Sequence, residues 1–359
     1  MTIIVKQIPE NDSFLWDSYV NSNSQATLYH MFSWKNVIEK AYHHKTYYLA
    51  AIKEESPKAI TGILPLTHLK HFIFGNSLIS IPFFDMGGIL ADNEETKEEL
   101  LASAVKLARN IKADNIELRQ TIPLDNFESN LSTLKIQNSK LKINKVRMLL
   151  ELPESSETLM KSFKSKLRSQ IKKPIKEGLE SKIGGKELLD EFYKVFLINM
   201  RDLGSPVHSK KLLQNVLEQF NEHTRIVIIH KDNQPYAASI IAGFKDTLEN
   251  PWSSSLRQYS RLSPNMLLYW TMLEYACANG YKYFDFGRST PDEGTYKFKK
   301  QWGARPQPLH WYNISLTGKP AAQKETEKSK FNKAIQYWQK LPVPVTGFLG
   351  PIIRKHIGL

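Results

Sequence analysis

Apolar and polar residues alternate along this chain with two different periods. Residues 94–111 place apolar side chains on one face and charges on the other, which predicts an amphipathic helix. Short runs rich in β-branched and aromatic residues, among them 47–52, 61–69, 225–231 and 236–244, predict strands. The polar segment Asp232-Asn233-Gln234-Pro235 separates the last two runs and predicts a hairpin turn. Strands and helices therefore follow one another over most of the sequence.

The chain of 359 residues is long for a single core and sufficient for two domains. Pro153, followed by Glu154-Ser155-Ser156, interrupts the pattern and predicts a boundary. We expect an N-terminal domain at 1–153, a second domain at 154–317 closed by a strand at 309–316, and a connector with an amphipathic tail at 318–359.

Charge narrows the class of partner. The sequence has 49 Lys and Arg against 36 Asp and Glu, a net charge of +13. Such a surplus favours nucleic acid, a phosphorylated or nucleotide-linked substrate, or an acidic membrane surface, without choosing among them. A helix from Lys161 to Lys176 has seven basic residues and no acid, which predicts either phosphate contact or a solvated face.

The compartment follows from further sequence features. Cys277 is the single cysteine, so an intramolecular disulfide is impossible and a reducing compartment is expected. The N-terminus does not have the pattern of a secretory signal, and no window has 18 uninterrupted apolar residues. We expect a cytoplasmic protein. Its tail, with apolar groups beside Arg354, Lys355 and His356, contacts the anionic inner face of the membrane, packs on the body or contacts a partner chain.

The stretch from Tyr283 to Ala304 combines a short apolar strand, a turn at Gly287 and a run of lysines. Strand ends followed by polar loops are common positions for binding and catalytic groups, although an ordinary strand with a solvated turn has the same composition. Asp285 and Glu293 are candidate general bases. No Ser-His-Asp or Cys-His arrangement argues for a covalent intermediate.

Several segments in a fixed order carry a family resemblance. YKYFDFGRSTPDEGTYKFKKQWGA, KSKLRSQIKKPIKEG, NMRDLGSPVHSKK and SIPFFDMGG together resemble the FemAB family, in particular its branch associated with exosortase/PEP-CTERM exopolysaccharide systems. The resemblance covers roughly residues 25–316. It implies an α/β fold of the α+β type, with two GNAT-like domains, each a mixed central sheet flanked by helices, and a C-terminal helical tail.

The resemblance also implies an acyltransferase. The best-known FemAB proteins attach amino acids from aminoacyl-tRNA to peptidoglycan precursors. The implied reaction moves an acyl or aminoacyl group to an amino group of an anionic cell-envelope glycan or peptidoglycan-type precursor. The alternatives are an acyl-CoA-dependent N-acyltransferase acting on a sugar nucleotide in exopolysaccharide biosynthesis, and a non-catalytic basic scaffold. We expect no tightly bound cofactor and no metal, with aminoacyl-tRNA or acyl-CoA as donor.

Conventional GNAT enzymes hold the pyrophosphate of acetyl-CoA with a glycine-rich loop before a helix, where backbone amides and the helix dipole favour an anion. The comparable segment here is Arg257 to Asn265, in which Ser263 is a candidate N-cap and Pro264 a first helical residue. This segment has no glycine, so Arg257 and Arg261 would have to supply side-chain contacts. The sequence therefore disfavours acetyl-CoA without excluding it.

By the resemblance, Phe298-Lys299 matches a Phe-Lys pair close to the reacting centre. Lys299 is the candidate cation for the tetrahedral oxyanion of aminoacyl transfer. Asp85 either lines the substrate cleft or caps a turn, and His30 either contacts substrate or is structural. The substrate-binding candidates are His30, Trp34, Asp85, Arg201, His208, Arg257, Tyr259, Arg261, Arg288, Tyr296, Lys297 and Phe298.

Overall fold

A computed structural model describes residues 2–136, 138–317 and 328–358. Within these residues the chain forms two compact units. The first contains residues 2–144, 308–317 and 355–358, and the second contains residues 145–307 and 328–354. Each unit is built around its own sheet.

The sheet of the first unit has the order β1-β2-β3-β4-β6-β15-β7, and β5 pairs with β3. Its only parallel neighbours among the pairings of the described strands are β4 and β6. The strands are β1 (Ile3–Gln7), β2 (Lys45–Lys53), β3 (Ser56–His71), β4 (Gly75–Ile79), β5 (Leu90–Ala91), β6 (Asn115–Gln120), β7 (Asn138–Lys142) and β15 (His310–Ser315). The helices are α1 (Ser13–Ser22), α2 (Ser33–Tyr42), α3 (Glu94–Asn110) and α4 (Phe127–Thr133).

The amphipathic pattern at 94–111 is confirmed by α3. The Asn93 side chain accepts a hydrogen bond from the Thr96 N–H and caps the helix. Its apolar face, which includes Leu100, Ala104 and Ala108, is buried against the sheet. This face anchors the core of the first unit, since the charged face is left for water.

The sheet of the second unit has the order β14-β8-β13-β12-β11-β10-β9. Its strands are β8 (Val146–Glu151), β9 (Glu180–Gly184), β10 (Thr224–Lys231), β11 (Gln234–Phe244), β12 (Thr247–Ser255), β13 (Tyr283–Ser289) and β14 (Arg305–Pro308). The helices are α5 (Ser156–Ser162), α6 (Ser165–Lys176), α7 (Leu189–Asp202), α8 (Lys210–Gln219), α9 (Pro264–Ala278), α10 (Gly294–Gln301), α11 (Lys328–Lys340) and α12 (Val343–Arg354). The predicted hairpin is confirmed by β10 and β11, which pair in antiparallel register.

The basic segment 161–176 forms two helices rather than one, because the chain is extended at Phe163 and Lys164 between α5 and α6. Phe163, Leu167 and Ile171 are buried, as their spacing predicts. They belong to the same core as α9. The basic residues of α6 therefore lie on the face opposite this core.

Chain order predicts the wrong sheet for two strands. The run 145–152 was expected to end the first domain, but β8 pairs with β13 of the second sheet. The strand at 309–316 was expected to close the second sheet, yet β15 pairs with β6 and β7 of the first. The second unit thus begins at β8, before the expected boundary at 153, and the first sheet contains β15, which is distant in sequence from the rest of its unit. Hydrophobic pattern identifies a strand but does not specify its non-local partner.

The described part of the tail packs on the second unit. Gln339 Nε2 of α11 donates to the backbone carbonyl of Asp202 at 2.9 Å. At Gly350 of α12, an added Cβ would lie 2.9 Å from the Val207 backbone nitrogen, so this glycine permits close approach. Packing on the body, one of the alternatives for the tail, is thus observed for α11 and α12.

Candidate functional site

The second sheet opens between two parallel strands. β12 and β13 pair only from Thr247 to Glu249 and from Tyr283 to Asp285, although β12 continues to Ser255 and β13 to Ser289. Beyond these pairs the two strands separate at their carboxyl ends. Crevices outside the carboxyl ends of neighbouring parallel strands are common ligand sites in open sheets. We therefore take this opening as the candidate site.

A bulge in β13 shapes one wall of the opening. The pairing of β13 with β8 shifts register between Asp285 and Arg288, and Gly287 has a φ of 74°. Asp285 Oδ1 accepts a hydrogen bond from the Gly287 N–H at 2.8 Å, while Asp285 Oδ2 lies 2.9 Å from Arg147 Nε. Glycine suits this left-handed conformation because it has no Cβ.

These contacts change the role of Asp285. The residue is 1% exposed, and both of its carboxylate oxygens face groups of the protein. A general base must direct a lone pair at the proton that it removes. The geometry shows Asp285 as a residue that holds the bulge, and its predicted role as a base stays a prediction.

Lys299 of α10 forms hydrogen bonds with the same bulge. Its Nζ donates to the Gly287 carbonyl at 3.0 Å and to the Arg288 carbonyl at 2.8 Å. The residue is 8% exposed, in contrast to its neighbours Lys297 and Lys300, which are exposed. The structure thus places one buried ammonium group at the end of β13. Its predicted role in oxyanion stabilisation stays a prediction.

An aromatic cluster includes Phe298, the residue directly before Lys299. Phe298 contacts Tyr269 with ring centroids 5.1 Å apart, and Tyr269 stacks on Phe286 at 5.3 Å. Trp302 completes the cluster at 6.2 Å from Phe298. Phe298, a predicted substrate contact, is partly buried against this core. The cluster gives α10 a rigid apolar support.

Asn250 and Tyr269 are functional candidates that sequence reasoning missed. Asn250 directly follows Glu249, the last residue of β12 that pairs with β13, and is 6% exposed. Its Nδ2 lies 3.3 Å from the Tyr269 hydroxyl, whereas its Oδ1 has no hydrogen-bond partner within the described residues. Burial raises the pKa of Tyr269, which keeps the phenol neutral. The signal in the sequence was the Asn250-Pro251 pair, which interrupts an otherwise regular strand.

A buried amide oxygen without a partner is unusual, because buried polar groups are nearly always hydrogen-bonded. If the amide is turned, the nitrogen is the end that lacks a partner, so the conclusion does not depend on its orientation. A ligand in the crevice could complete this bond. Asn250 therefore ranks beside Lys299 among the residues of the candidate site.

The segment before α9 differs from an anion-binding loop. Arg257 and Arg261 are exposed on a short 3-10 turn, Arg257–Leu262. Tyr259 is partly buried and stacks on Tyr236 at 3.7 Å. Ser263 has a φ of 58°, and its side chain makes no capping hydrogen bond to α9. The expected N-cap is therefore wrong, since the left-handed backbone at Ser263 is not the extended one of a capping serine.

The other candidate site residues near α10 lie at the end of β13, in the loop that follows it, or on α10 itself. Arg288 and Tyr296 are partly buried, and Glu293 and Lys297 are exposed. Glu293 directly precedes α10 without a capping bond from its side chain. The predicted role of Glu293 as a base stays a prediction.

Arg201 and His208 lie under the tail of the second unit. Arg201 pairs with the adjacent Asp202 at 2.8 Å. His208 is 3% exposed, and its Nε2 accepts a hydrogen bond from Arg354 Nε at 3.1 Å. Burial, with Arg354 nearby, holds the pKa of His208 well below its usual value. The neutral, covered imidazole contacts the end of α12, and the substrate contact predicted for His208 stays a prediction.

In the first unit, Trp34 is a core residue. It is 1% exposed, its indole N–H donates to the Leu28 carbonyl at 2.9 Å, and its ring lies 4.4 Å from that of Phe84. Its polar atom and its ring are both engaged inside the protein, and the substrate contact predicted for Trp34 stays a prediction.

His30 and Asp85 lie in the same unit as Trp34. The Thr27 N–H donates to His30 Nδ1 at 3.0 Å, so the proton of a neutral ring is on Nε2. His30 also lines a small cavity of about 20 Å³ with Gly88 and Gln120. Asp85 is partly buried, and its backbone carbonyl accepts from Trp311 Nε1 at 3.1 Å. Both alternatives for His30 and both alternatives for Asp85 therefore stay predictions.

A larger cavity, of about 880 Å³, adjoins the basic helix α6 in the second unit. Its apolar floor includes Leu150, Phe163 and Trp302. Exposed cations stand around it, and they are Lys164, Lys166, Lys300 and Arg305. The cavity could accept an anion that has an apolar portion.

The described residues contain no cluster of three or more His, Cys, Asp or Glu side chains arranged to hold a metal ion. Over the same residues, no helix combines the length and apolarity required to span a bilayer.

Comparison with known proteins shows which domain family and which solved structures this chain resembles. Residues 161–300 match the acetyltransferase (GNAT) domain family. No curated protein matches the sequence. Among solved structures, FemX is similar with a TM-score of 0.68 and 15% identity, covering 87% of this chain and 97% of FemX. The expected acyltransferase class is confirmed by the GNAT match.

Two other solved structures share the architecture. L-PGS from Bacillus licheniformis has a TM-score of 0.56 and 11% identity, over 99% of this chain and 98% of that one. A tandem GNAT protein from the clavulanic acid biosynthesis pathway has a TM-score of 0.52 and 10% identity, over 88% and 98%. At these identities the likeness concerns the fold. Residues 161–300 therefore match an acetyltransferase (GNAT) domain, and the chain as a whole has a fold like that of FemX and of the tandem GNAT protein.

Proposed function

We propose that this protein transfers an aminoacyl group from aminoacyl-tRNA to an amino group of an anionic cell-envelope precursor of the peptidoglycan type. The crevice between β12 and β13, with Lys299 bound to the carbonyls of the bulge, is the observation that carries the proposal. The reacting ester would lie at this opening, beside the Asn250 amide.

The proposed reaction is a direct transfer. The amine of the acceptor attacks the ester carbonyl, and a tetrahedral oxyanion forms. The carbon–oxygen bond to the ribose then breaks, and the amine proton leaves to water or to the ribose oxygen. A fixed cation lowers the barrier because it stabilises charge that develops only in the transition state. Lys299 is the buried cation that the described crevice presents for this role.

The turn before α9 supports aminoacyl-tRNA over acyl-CoA as the donor. A pyrophosphate cradle needs backbone amides that a ligand can approach closely, which is why glycine is used there. Here the turn has Arg257, Tyr259 and Arg261 and no glycine, and Tyr259 is held by its stacking on Tyr236. Exposed arginines can still contact the phosphodiester backbone of RNA through their side chains.

The cationic cavity beside α6 supports an anionic partner. Lys164, Lys166 and Arg305 would meet phosphate groups at its rim, and its apolar floor would meet a ring. Since aminoacyl-tRNA and nucleotide-linked precursors are cytoplasmic, the proposal places the reaction in the cytoplasm.

The second candidate function is an acyl-CoA-dependent N-acyltransfer to a sugar nucleotide in exopolysaccharide biosynthesis. It is favoured by the match of residues 161–300 to the acetyltransferase domain family. A binding measurement separates the two functions. Titration calorimetry with a non-hydrolysable aminoacyl-RNA end and with acetyl-CoA should show binding of the first only.

Turnover is then measured with radiolabelled aminoacyl-tRNA and a nucleotide-linked muropeptide. Asn250→Ala should lower kcat about tenfold or more, because the substrate loses a buried hydrogen-bond partner. Ser260→Ala, an exposed change on the turn before α9, serves as the control and should leave turnover unchanged. Binding of acetyl-CoA with transfer of acetyl groups would support the second function instead, and binding of neither donor would support a scaffold.

A further inference from the structure

An apolar stripe faces outward on α12. Val345, Phe348, Leu349 and Ile352 are 39%, 72%, 38% and 49% exposed. At roughly 100° per residue, these four positions fall within an arc of about 100° on the helix. An exposed apolar stripe on one face of a helix indicates a contact surface rather than scattered surface residues.

The opposite face of α12 is fixed to the second unit. Thr346 and Gly350 are buried there, and an added Cβ at Gly347 would lie 3.3 Å from the Leu197 side chain. Arg354 at the end of the helix donates to His208 at 3.1 Å. The helix is therefore held in one orientation, and the outward direction of the stripe is a property of the folded unit.

Helix α11, which precedes α12 in the chain, is also held on the second unit. Its Ile335 side chain packs against Gly204, and Gln339 donates to the Asp202 carbonyl. Tyr337 is 71% exposed. Tyrosine is common where an apolar surface meets the polar headgroups of a bilayer, since its ring is amphipathic.

The charged residues of the tail itself have one sign. Residues 328–359 contain no Asp or Glu and six basic residues, which are Lys328, Lys330, Lys333, Lys340, Arg354 and Lys355. Of these, Lys333 and Lys340 are exposed in the described part of α11, and Asp202 of the underlying α7 pairs with the adjacent Arg201. A protein partner usually meets a rim of mixed polarity, whereas helices that combine an apolar stripe with only basic charges complement an anionic lipid surface.

We propose that α12, with α11 beside it, lies in the plane of an anionic membrane surface. The stripe would enter the boundary between headgroups and acyl chains, and the lysines would contact lipid phosphates. This inference is independent of the proposed transfer reaction, because it concerns where the protein is held and not what it catalyses. The occupant of the surface is a bilayer with anionic headgroups.

The test uses the full chain and sedimentation with vesicles. Vesicles of phosphatidylcholine with 30 mol% phosphatidylglycerol, roughly the anionic content that attracts basic segments, should bind the protein, and pure phosphatidylcholine should not. The double variant F348S/I352S should lower the partition coefficient by about tenfold or more, because apolar area no longer enters the bilayer. The double variant K333Q/K340Q should lower it about fivefold for each lysine and reduce its dependence on salt.

Two other exposed apolar positions provide matched controls. Phe14 on α1 is 63% exposed, and Phe72 at the tip of the β3–β4 hairpin is 91% exposed. Phe14→Ser and Phe72→Ser remove a comparable apolar surface elsewhere and should leave the partition coefficient unchanged. Circular dichroism confirms that each variant is folded.

Three results would overturn the proposal. The first is equal sedimentation of the wild type with anionic and neutral vesicles, or with neither. The second is a loss of binding in Phe72→Ser while F348S/I352S still binds, which would place the contact on the hairpin. The third is a concentration-dependent dimer in analytical ultracentrifugation that F348S/I352S converts to monomer, since the stripe would then be covered by a second copy.

Discussion

Replacing Lys299 by methionine keeps an unbranched side chain but removes the ammonium that binds the carbonyls of Gly287 and Arg288. The two bonds are 3.0 and 2.8 Å long and lie at a residue that is 8% exposed. A hydrogen bond from a charged group contributes about 1.5–3 kcal/mol, so the pair contributes roughly 3–6 kcal/mol. Desolvation of the lysine offsets part of this. We expect the free energy of unfolding to fall by about 2–4 kcal/mol.

The same substitution should affect transfer more than it affects folding. Removal of one donor from an oxyanion site lowers kcat by about 100- to 1,000-fold. Urea denaturation followed by tryptophan fluorescence measures the first effect, and transfer from aminoacyl-tRNA at low temperature, where the variant is folded, measures the second. The two measurements separate loss of the fold from loss of chemistry.

Lys297→Met is the matched control for Lys299→Met. Lys297 lies two residues away on the same helix and is exposed, so its replacement should change the free energy of unfolding by less than about 0.5 kcal/mol. Unchanged stability in Lys299→Met would show that the two carbonyl bonds do not hold α10. Unchanged turnover in the folded variant would remove Lys299 from the reaction.

Three further predictions concern contacts inside one or the other unit. Arg147→Met should lower the free energy of unfolding by about 3–5 kcal/mol in urea denaturation, because it leaves the Asp285 carboxylate buried without its cation, and an unchanged midpoint would contradict this. Gly350→Ala should lower it by about 1–3 kcal/mol, since the new methyl group meets the Val207 backbone, whereas exposed Gly294→Ala should not. Burial and the neighbouring His71 lower the pKa of His356 to about 4, so the unfolded state binds a proton more readily and stability should fall as pH drops from about 6.5 to 4. A thermal denaturation series over this range should show a shallower fall in His356→Asn.

Local pattern was sufficient for much of the secondary structure. The helix α3, the hairpin of β10 and β11, and the buried stripe at Phe163, Leu167 and Ile171 all follow from the spacing of apolar residues. Each is a short-range feature, since side chains three, four or two positions apart share a face. The segments around Lys299 carried enough resemblance to indicate a tandem GNAT fold, which is confirmed.

Burial decided which candidate residues are available for function. Trp34 and His208 are of residue types that commonly bind ligands, yet both lie inside the protein with their polar atoms engaged. Asn250 drew no attention in the sequence, but the separation of β12 from β13 places its amide at the opening with one end unsatisfied. Hydrogen-bond satisfaction is a property of the assembled core, so it cannot be read from one strand.

The sequence by itself determined the types of the elements, the basic character of the chain and the family of folds to which it is related. Only the tertiary structure decided that β8 and β15 lie in the sheets opposite to those that chain order suggests, and that Asp285 and Lys299 meet at the bulge of β13. The physical reason is that periodicity is local, whereas strand pairing and the contacts of buried charges depend on residues far apart in the chain.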